Sequence, residues 1–284
     1  MDTRKRDYIL GYLFGFAVLL FIIAQTVIFA SFFMPFFEWQ FQRPREYWPY
    51  NGRNAVQVIG IEKDELMRVT TELLDYMRGR RDTLDGIQAV VMGENREFFS
   101  DLEKRHMVDV RVLYDWVFRT RRFSISFIIT TLIILALIKK DLFFYLPRFS
   151  TKEETVRFFS YTMLTGTRNV IVGFLSVAAI VTVAIATDFD RAWMIFHLIF
   201  FNNDYWILQH RVDLLLDMVS LSFFAHISIL VGSIMLLAFL AVIAITSVLL
   251  RKNTIPQKNQ FPAGEKQVNN LADASGNKKN GDKK

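Results

Sequence analysis

Apolar residues gather in four long runs separated by strongly polar stretches, and each run approaches the about 20 residues a helix needs to cross a bilayer. The first extends from Tyr8 to about Phe37. It is too long for the apolar core of a signal peptide, and no small-residue cleavage pattern follows it, so it is expected to stay as an anchor. The second, Ser124 to Ile138, is short. It meets Lys139, Lys140 and Asp141 before Leu142-Phe143-Phe144-Tyr145-Leu146, which snorkelling lysines accommodate. The third covers Val170 to Ala186 and the fourth Phe223 to Leu250. This pattern predicts an all-α polytopic membrane protein with four transmembrane helices.

The polar stretches carry their own periodicity. Leu66, Val69, Leu73, Leu74 and Met77 recur at helical spacing, with Gly79 placed where that helix would end. From Ser100 to Arg119 a second amphipathic helix is expected, with Ser100 and Glu103 as a capping box and Leu102, Val110, Leu113 and Val117 on its apolar stripe. It leads straight into the second span. The aromatic, mixed-polarity stretch between Pro35 and Pro49 suits chain lying at headgroup level. At about 85 residues, this first loop is read as a helical cap resting on the membrane and not as an independent domain. The organisation expected is therefore an N-terminus with the first span (1–37), the cap (38–123), the second span (124–146), a loop (147–169), the third span (170–187), a second polar loop (188–221), the fourth span (222–250) and a tail (251–284).

Charge sets the expected orientation. Arg4, Lys5 and Arg6 precede the first span, and Lys139, Lys140, Arg148, Lys152, Arg157 and Arg168 lie between the second and third, whereas only Arg191 and Arg211 stand among five aspartates between the third and fourth. The positive-inside bias puts both termini in the cytoplasm and the cap and second polar loop outside. Net charge is +6, but the excess sits in the segments read as cytoplasmic, where anionic lipid and not nucleic acid is the partner it fits. Arg43, Arg45, Arg78, Arg80 and Arg81 suit either a solvated face or a phospholipid phosphate. The tail, rich in Asn, Lys, Gln and Gly, lacks the apolar surface to fold. Cysteine is absent, which removes disulfides and thiolate chemistry.

The candidate chemistry rests on few residues. The segment 196–206 places His197, Asn202, Asn203, Asp204 and Trp206 at the mouth of a span, where polar groups are costly unless something uses them. His106 lies three positions from both Glu103 and Asp109 on one predicted helix, so either carboxylate is a candidate to hold its ring; a solvated surface histidine is the plain alternative. His210 reads as a solvated turn residue and His226 as an interfacial residue at the start of the fourth span. Gly11 and Gly15 form a GxxxG in the first span, read either as a helix contact or as chance. No GxSxG elbow, HExxH, P-loop or dinucleotide fingerprint is present, so no metal or cofactor is expected. Asp109 and Asp204 are candidate ring orienters; for His197 the plain alternative is an interfacial histidine hydrogen-bonded to a backbone carbonyl. Asn202, Asn203 or an outer arginine could stabilise an oxyanion.

The blocks Glu103-Lys104-Arg105-His106-Met107-Val108-Asp109-Val110 and Phe196-His197-Leu198-Ile199-Phe200-Phe201-Asn202-Asn203-Asp204-Tyr205-Trp206, with Asp213 after them, resemble the lipoprotein intramolecular transacylase (Lit) family. Leu74-Asp75-Tyr76 with Gly79, and Phe98-Phe99-Ser100, extend the similarity; Gln209-His210-Arg211 departs from it. The resemblance implies acyl transfer within a diacylglyceryl-modified lipoprotein, from the sn-2 glyceryl oxygen to the α-amine, with His106 and His197 matching the family's two catalytic histidines. The competing expectations are a non-enzymatic sensor or assembly factor with an external ligand-binding loop, and a transporter. Span centres with almost no ionisable residue argue against the transporter.

Overall fold

In the computed structural model, which describes residues 3–45, 52–139 and 152–252, four helices are long and apolar enough to cross a membrane. They are α1 (Thr3–Ser31), α5 (Asp101–Lys139), α6 (Lys152–Thr187) and α9 (Leu221–Lys252). The chain is an all-α polytopic membrane protein of the class expected. α1 is the hub, packed against α5, α6 and α9. Most of the outward surface of the bundle is apolar, with Ile133, Val177, Ile180 and Leu237 all well exposed. That suits contact with hydrocarbon.

Helix length says where the membrane must stop. α5 has 39 residues and a 30 Å hydrocarbon layer accommodates about 20, so roughly half of α5 projects beyond it. The charged half, with Arg105, Asp109, Arg111, Arg119, Arg121 and Arg122, is the half that projects. Lys140 to Leu146, expected to complete the second span, and the tail beyond Lys252 lie outside the described residues.

Two boundaries differ from those the hydropathy suggested. The first apolar run is two helices, because α1 stops at Ser31 and α2 (Met34–Gln42) restarts with Pro35 in its first turn. Proline has no N–H to continue a helix but is well suited to begin one. The second difference concerns 147–169, expected as a loop. α6 is helical from Lys152 onward, because close packing on α1 continues through it. A Cβ on Gly166 would stand 2.2 Å from the Gly11 carbonyl oxygen, and Thr162 and Met163 are buried beside it. Of the two readings of Gly11 and Gly15, the structure selects helix contact.

At the end of the bundle where α1 finishes and α5 and α9 begin, the first loop folds into a cap. α2, α3 (Ala55–Ile59) and α4 (Lys63–Met77) pack with α8 (Leu214–Met218) around one apolar core that includes Phe36, Phe37, Phe41, Leu66, Leu74, Phe98, Phe99 and Phe223. Phe223 packs on Phe36 and Phe37 at ring-centroid distances of 5.3 and 5.2 Å, which fixes the start of α9 against α2. α4 buries Leu66, Val69, Leu73, Leu74 and Met77, the stripe its periodicity gave, and Gly79 follows in a left-handed conformation with φ 75°. The cap also holds an antiparallel hairpin, β1 (Gln88–Val91) and β2 (Glu94–Glu97), which a purely helical cap does not contain. Its turn residues Met92 and Gly93 have φ of 51° and 86°, the primed geometry that matches strand twist. Ala89 and Val91 face the core.

Candidate active site at the end of the bundle

α7 (Phe189–Phe200) follows α6 after Asp188, whose Oδ1 accepts from Arg191 N at 3.0 Å and caps it. One side of α7 carries Trp193, Phe196 and buried His197, while Met194, Ile195, Leu198, Ile199 and Phe200 remain exposed. A short helix with so much exposed apolar surface belongs in the membrane interface. It presents His197 towards the projecting half of α5.

There His197 meets His106. The two rings lie with centroids 6.0 Å apart, inclined by 32°, and Phe201 packs against both at 5.3 and 5.5 Å. His197 is 4% exposed. It sits in an aromatic box, stacked on Trp206 at 4.7 Å and edge-on to Trp193 at 4.6 Å. Its Nδ1 is 2.8 Å from the Trp193 carbonyl oxygen. A carbonyl only accepts, so Nδ1 carries the proton and Nε2 is left with its lone pair in the neutral ring. Burial pushes the His197 pKa below its ordinary value, against the opposing pull of that carbonyl. His106, half-buried, has its Nδ1 shielded from water and without a hydrogen-bond partner.

The carboxylates expected to hold these rings do other work. Glu103 is fully buried and accepts from Ser100 N at 2.5 Å and from Leu215 N, while its own N–H donates to Ser100 Oγ at 3.3 Å. The capping box is therefore present, and Glu103 also fastens α8 to the start of α5. Asp213 joins the same clasp, accepting from Ser100 Oγ at 2.9 Å and Gln209 N at 2.8 Å. Asp109 accepts from Asn203 Nδ2 at 2.8 Å, and Asn203 Oδ1 accepts from Tyr205 N at 3.0 Å. Asn203 thus spends one of its two amide N–H donors on Asp109 and its oxygen on Tyr205. Asp204 is exposed and its carbonyl closes a turn with Ile207 N, so it does not orient His197; Asn202 is also exposed. Of the two readings of the His197 ring, held by Asp204 or by a backbone carbonyl, the structure has the carbonyl of Trp193.

His210 is exposed, as expected of a turn residue, yet its ring is tethered to a buried carboxylate. Its Nδ1 lies 2.8 Å from Asp217 Oδ1, while Arg211 N donates to Asp217 Oδ2 at 2.9 Å. Arg45 also reaches Asp217, both at its carbonyl and as an ion pair, with side chains 5% and 2% exposed. Arg45 thus belongs to the interior and not to a solvated face. A buried carboxylate requires such partners. Gln209-His210-Arg211 supplies two of them, with Arg211 at φ 68° closing the turn.

Four helices long and apolar enough to cross a membrane, a cap at one end of the bundle and a pair of imidazoles beside it, one buried and one half-buried, define a helical membrane protein with a polar site at the capped end. The chain belongs to the lipoprotein intramolecular transacylase Lit family, whose model matches residues 12–224. It is a membrane transacylase of lipoprotein processing. Its fold is shared with the membrane-integral Lit of Bacillus cereus at a TM-score of 0.62 and 17% identity, over 88% of this chain and 98% of that one. Two variants of the Bacillus cereus protein, with a histidine replaced by arginine or by alanine, match at TM-scores of 0.60 and 0.59 and 17% identity. They cover 89% and 87% of this chain and 96% and 95% of theirs. No curated protein matches.

Proposed function

We propose that this transacylase moves the sn-2 acyl chain of a diacylglyceryl-modified lipoprotein onto the α-amine of the same N-terminal cysteine, at the outer leaflet, with both termini cytoplasmic. The observation that carries the reading is the pairing of the His106 and His197 rings at 6.0 Å with Nδ1 of His197 held by a carbonyl. Imidazoles on opposite faces would have favoured a sensor.

The amine attacks the ester carbonyl as its free base. An α-ammonium has a pKa of about 7.7–8.0 and a free imidazole about 6.5, so transfer of the proton to a histidine is uphill, and more so for His197, whose pKa burial lowers; the downhill exchange of ester for amide draws the sequence forward. His197 is the proposed acceptor, because its Nε2 lone pair is fixed by the tautomer. The new C–N bond forms a tetrahedral oxyanion. Its collapse breaks the bond from the carbonyl carbon to the sn-2 oxygen, and the departing alkoxide takes the proton by way of His106. Atoms balance within one molecule: an ester becomes an amide and a free glyceryl hydroxyl. Exchange of ester for amide is downhill, so no nucleotide is needed, and linkage of donor to acceptor supplies the proximity.

A synthetic diacylglyceryl lipopeptide labelled only in its sn-2 acyl chain tests this directly. Incubated with purified protein in detergent, it should yield peptide labelled on the α-nitrogen by fragmentation mass spectrometry. Label released as free acid, or retained on glycerol, would overturn the reading.

A further inference from the structure

Acyl transfer to an amine has a standing competitor. A neutral imidazole that relieves an amine of its proton also serves as general base to water. The water oxygen would then form the bond to the acyl carbon, the bond from that carbon to the sn-2 oxygen would break, and the ester would end as free acid and glyceryl hydroxyl. Keeping water out of a site suppresses such hydrolysis. Around His197 the question is which side chains do so.

Four aromatic rings besides His106 pack on the His197 imidazole among the described residues. Three belong to α7 or to its C-terminal cap: Trp193 edge-on at 4.6 Å, Phe196 edge-on at 5.4 Å and Phe201 tilted at 5.5 Å. The fourth, Trp206, comes from the segment that follows. It is the ring stacked on the imidazole, at 4.7 Å and 27°, an offset arrangement in which the larger indole overhangs the edge of the smaller ring. Trp206 is itself half-buried, and Tyr205 and Ile207 on either side of it are 37% and 52% exposed. The indole therefore covers the buried base while part of it stands at the surface.

Its placement is fixed from both sides by groups other than its own side chain. Before it, Asn203 is tied to Asp109 of α5 and accepts from Tyr205 N, and the Asp204 carbonyl accepts from Ile207 N at 3.1 Å, closing a turn that contains Trp206. After it, Leu208 packs against the apolar core of the cap, a core to which Trp206 does not belong. The segment should keep its path when the indole is removed, so loss of the ring opens His197 without unmaking the site.

We propose that Trp206 is a positioning residue that shields His197 from water, so that the acyl group passes to the amine and not to solvent. This role rests on the acyl-transfer reading above and adds to it the group that sets the ratio of transfer to hydrolysis.

Two measurements on the full-length protein in detergent test it. In the first, diethyl pyrocarbonate, which modifies the free-base nitrogen of accessible imidazoles, is followed histidine by histidine with peptide mass mapping. His197 should react at least tenfold faster in Trp206→Ala than in wild type, while exposed His210 keeps its rate. Trp206→Phe, which keeps a ring over the imidazole, should hold His197 near the wild-type rate. Thermal unfolding identifies a variant that fails to fold, and Trp206→Leu, which keeps apolar bulk, is a second variant read in the same way as alanine. In the second measurement, each protein is given the lipopeptide labelled in its sn-2 acyl chain. Trp206→Ala should raise the ratio of free labelled acid to N-acylated peptide at least tenfold over wild type, a ratio that a merely structural loss leaves alone because both products then fall together. Unchanged reactivity of His197 in folded Trp206→Ala and Trp206→Leu, or an unchanged product ratio, would overturn the shield. Wild type that releases its label as free acid would instead overturn the acyl-transfer reading, on which the reactivity of His197 does not depend.

Discussion

Asn203 donates its Nδ2 to Asp109 Oδ2 across 2.8 Å, tying the segment after His197 to the turn of α5 that follows His106. Neither residue touches a histidine through a hydrogen bond, yet together they hold the two imidazole-bearing elements in register. Asn203→Ala should therefore lower kcat while leaving KM near wild type. One neutral-to-charged hydrogen bond contributes about 1.5–3 kcal/mol, a rate loss of roughly tenfold to a hundredfold if all of it serves alignment. Single-turnover kinetics on a lipopeptide check this; a change confined to KM would assign Asn203 to substrate binding instead.

The α1–α6 contact sets the second expectation. Gly166→Ala places a Cβ 2.2 Å from the Gly11 carbonyl oxygen, whereas Gly173 has nothing within 4 Å of where its Cβ would stand. The first substitution should cost about 1–3 kcal/mol by overpacking. Gly173→Ala should be neutral or stabilising, since alanine favours helix by about 1 kcal/mol. Thermal unfolding in detergent separates the two, and equal midpoints would show that the helices do not pack this closely.

Acid should weaken the protein through His197. Burial lowers its pKa in the fold, while in the unfolded chain it titrates near about 6.5. Below 6.5 the unfolded state therefore binds more protons than the folded state, and stability falls as pH drops towards the folded pKa. Above 6.5 this group adds no pH dependence. The difference in unfolding midpoint between wild type and His197→Gln should accordingly shrink between pH 6.5 and 5 and stay constant from pH 7 to 8. A difference that grows on acidification would mean the folded pKa is raised.

Glu103 is the strongest structural test of the cap. It accepts backbone N–H groups from Ser100 and Leu215 while fully buried, so Glu103→Ala strands two donors at about 1–3 kcal/mol each. Limited proteolysis should then cut near α8 in the variant and not in wild type. Unchanged protection would show that Glu103 is not the clasp.

Much of this was legible in the chain. The period-3.6 stripe gave α4 correctly, because burial of one helical face leaves a direct mark on residue order, whereas the start of α5 is helical as expected but buries Glu103 and Met107, with the stripe of Leu102, Val110, Leu113 and Val117 only half-buried. The capping box at Ser100 and Glu103 was likewise visible. His197 stood out because polar groups are costly beside apolar segments, and His106 by its carboxylate spacing and the family resemblance of its block. What composition could not reveal was partnership over long chain separations. Glu103 and Asp109 sit at helical spacing from His106, yet their bonds go to Leu215 and Asn203. His210 is exposed as its turn suggested, but its partner Asp217 lies in another turn and is buried with Arg45, which residue order does not show. A carbonyl-held His197 was one of the readings open from the sequence, and the structure names Trp193, one helical turn earlier, as the acceptor. The hairpin escaped because four-residue strands are too short for alternation to register.

The central claim is that His106 and His197 act as one proton-transfer unit. Co-expression of the wild type, His106→Ala, His197→Ala and the double variant with one reporter lipoprotein, followed by mass spectrometry of its N-terminal peptide, tests it most directly. Each single variant should leave the diacylglyceryl form with a free amine, at a loss of about a hundredfold to ten-thousandfold in rate. The double variant should be scarcely worse than either, because groups acting as a unit are non-additive. N-acylated lyso-peptide at wild-type levels from His197→Ala, at equal membrane abundance, would contradict the account.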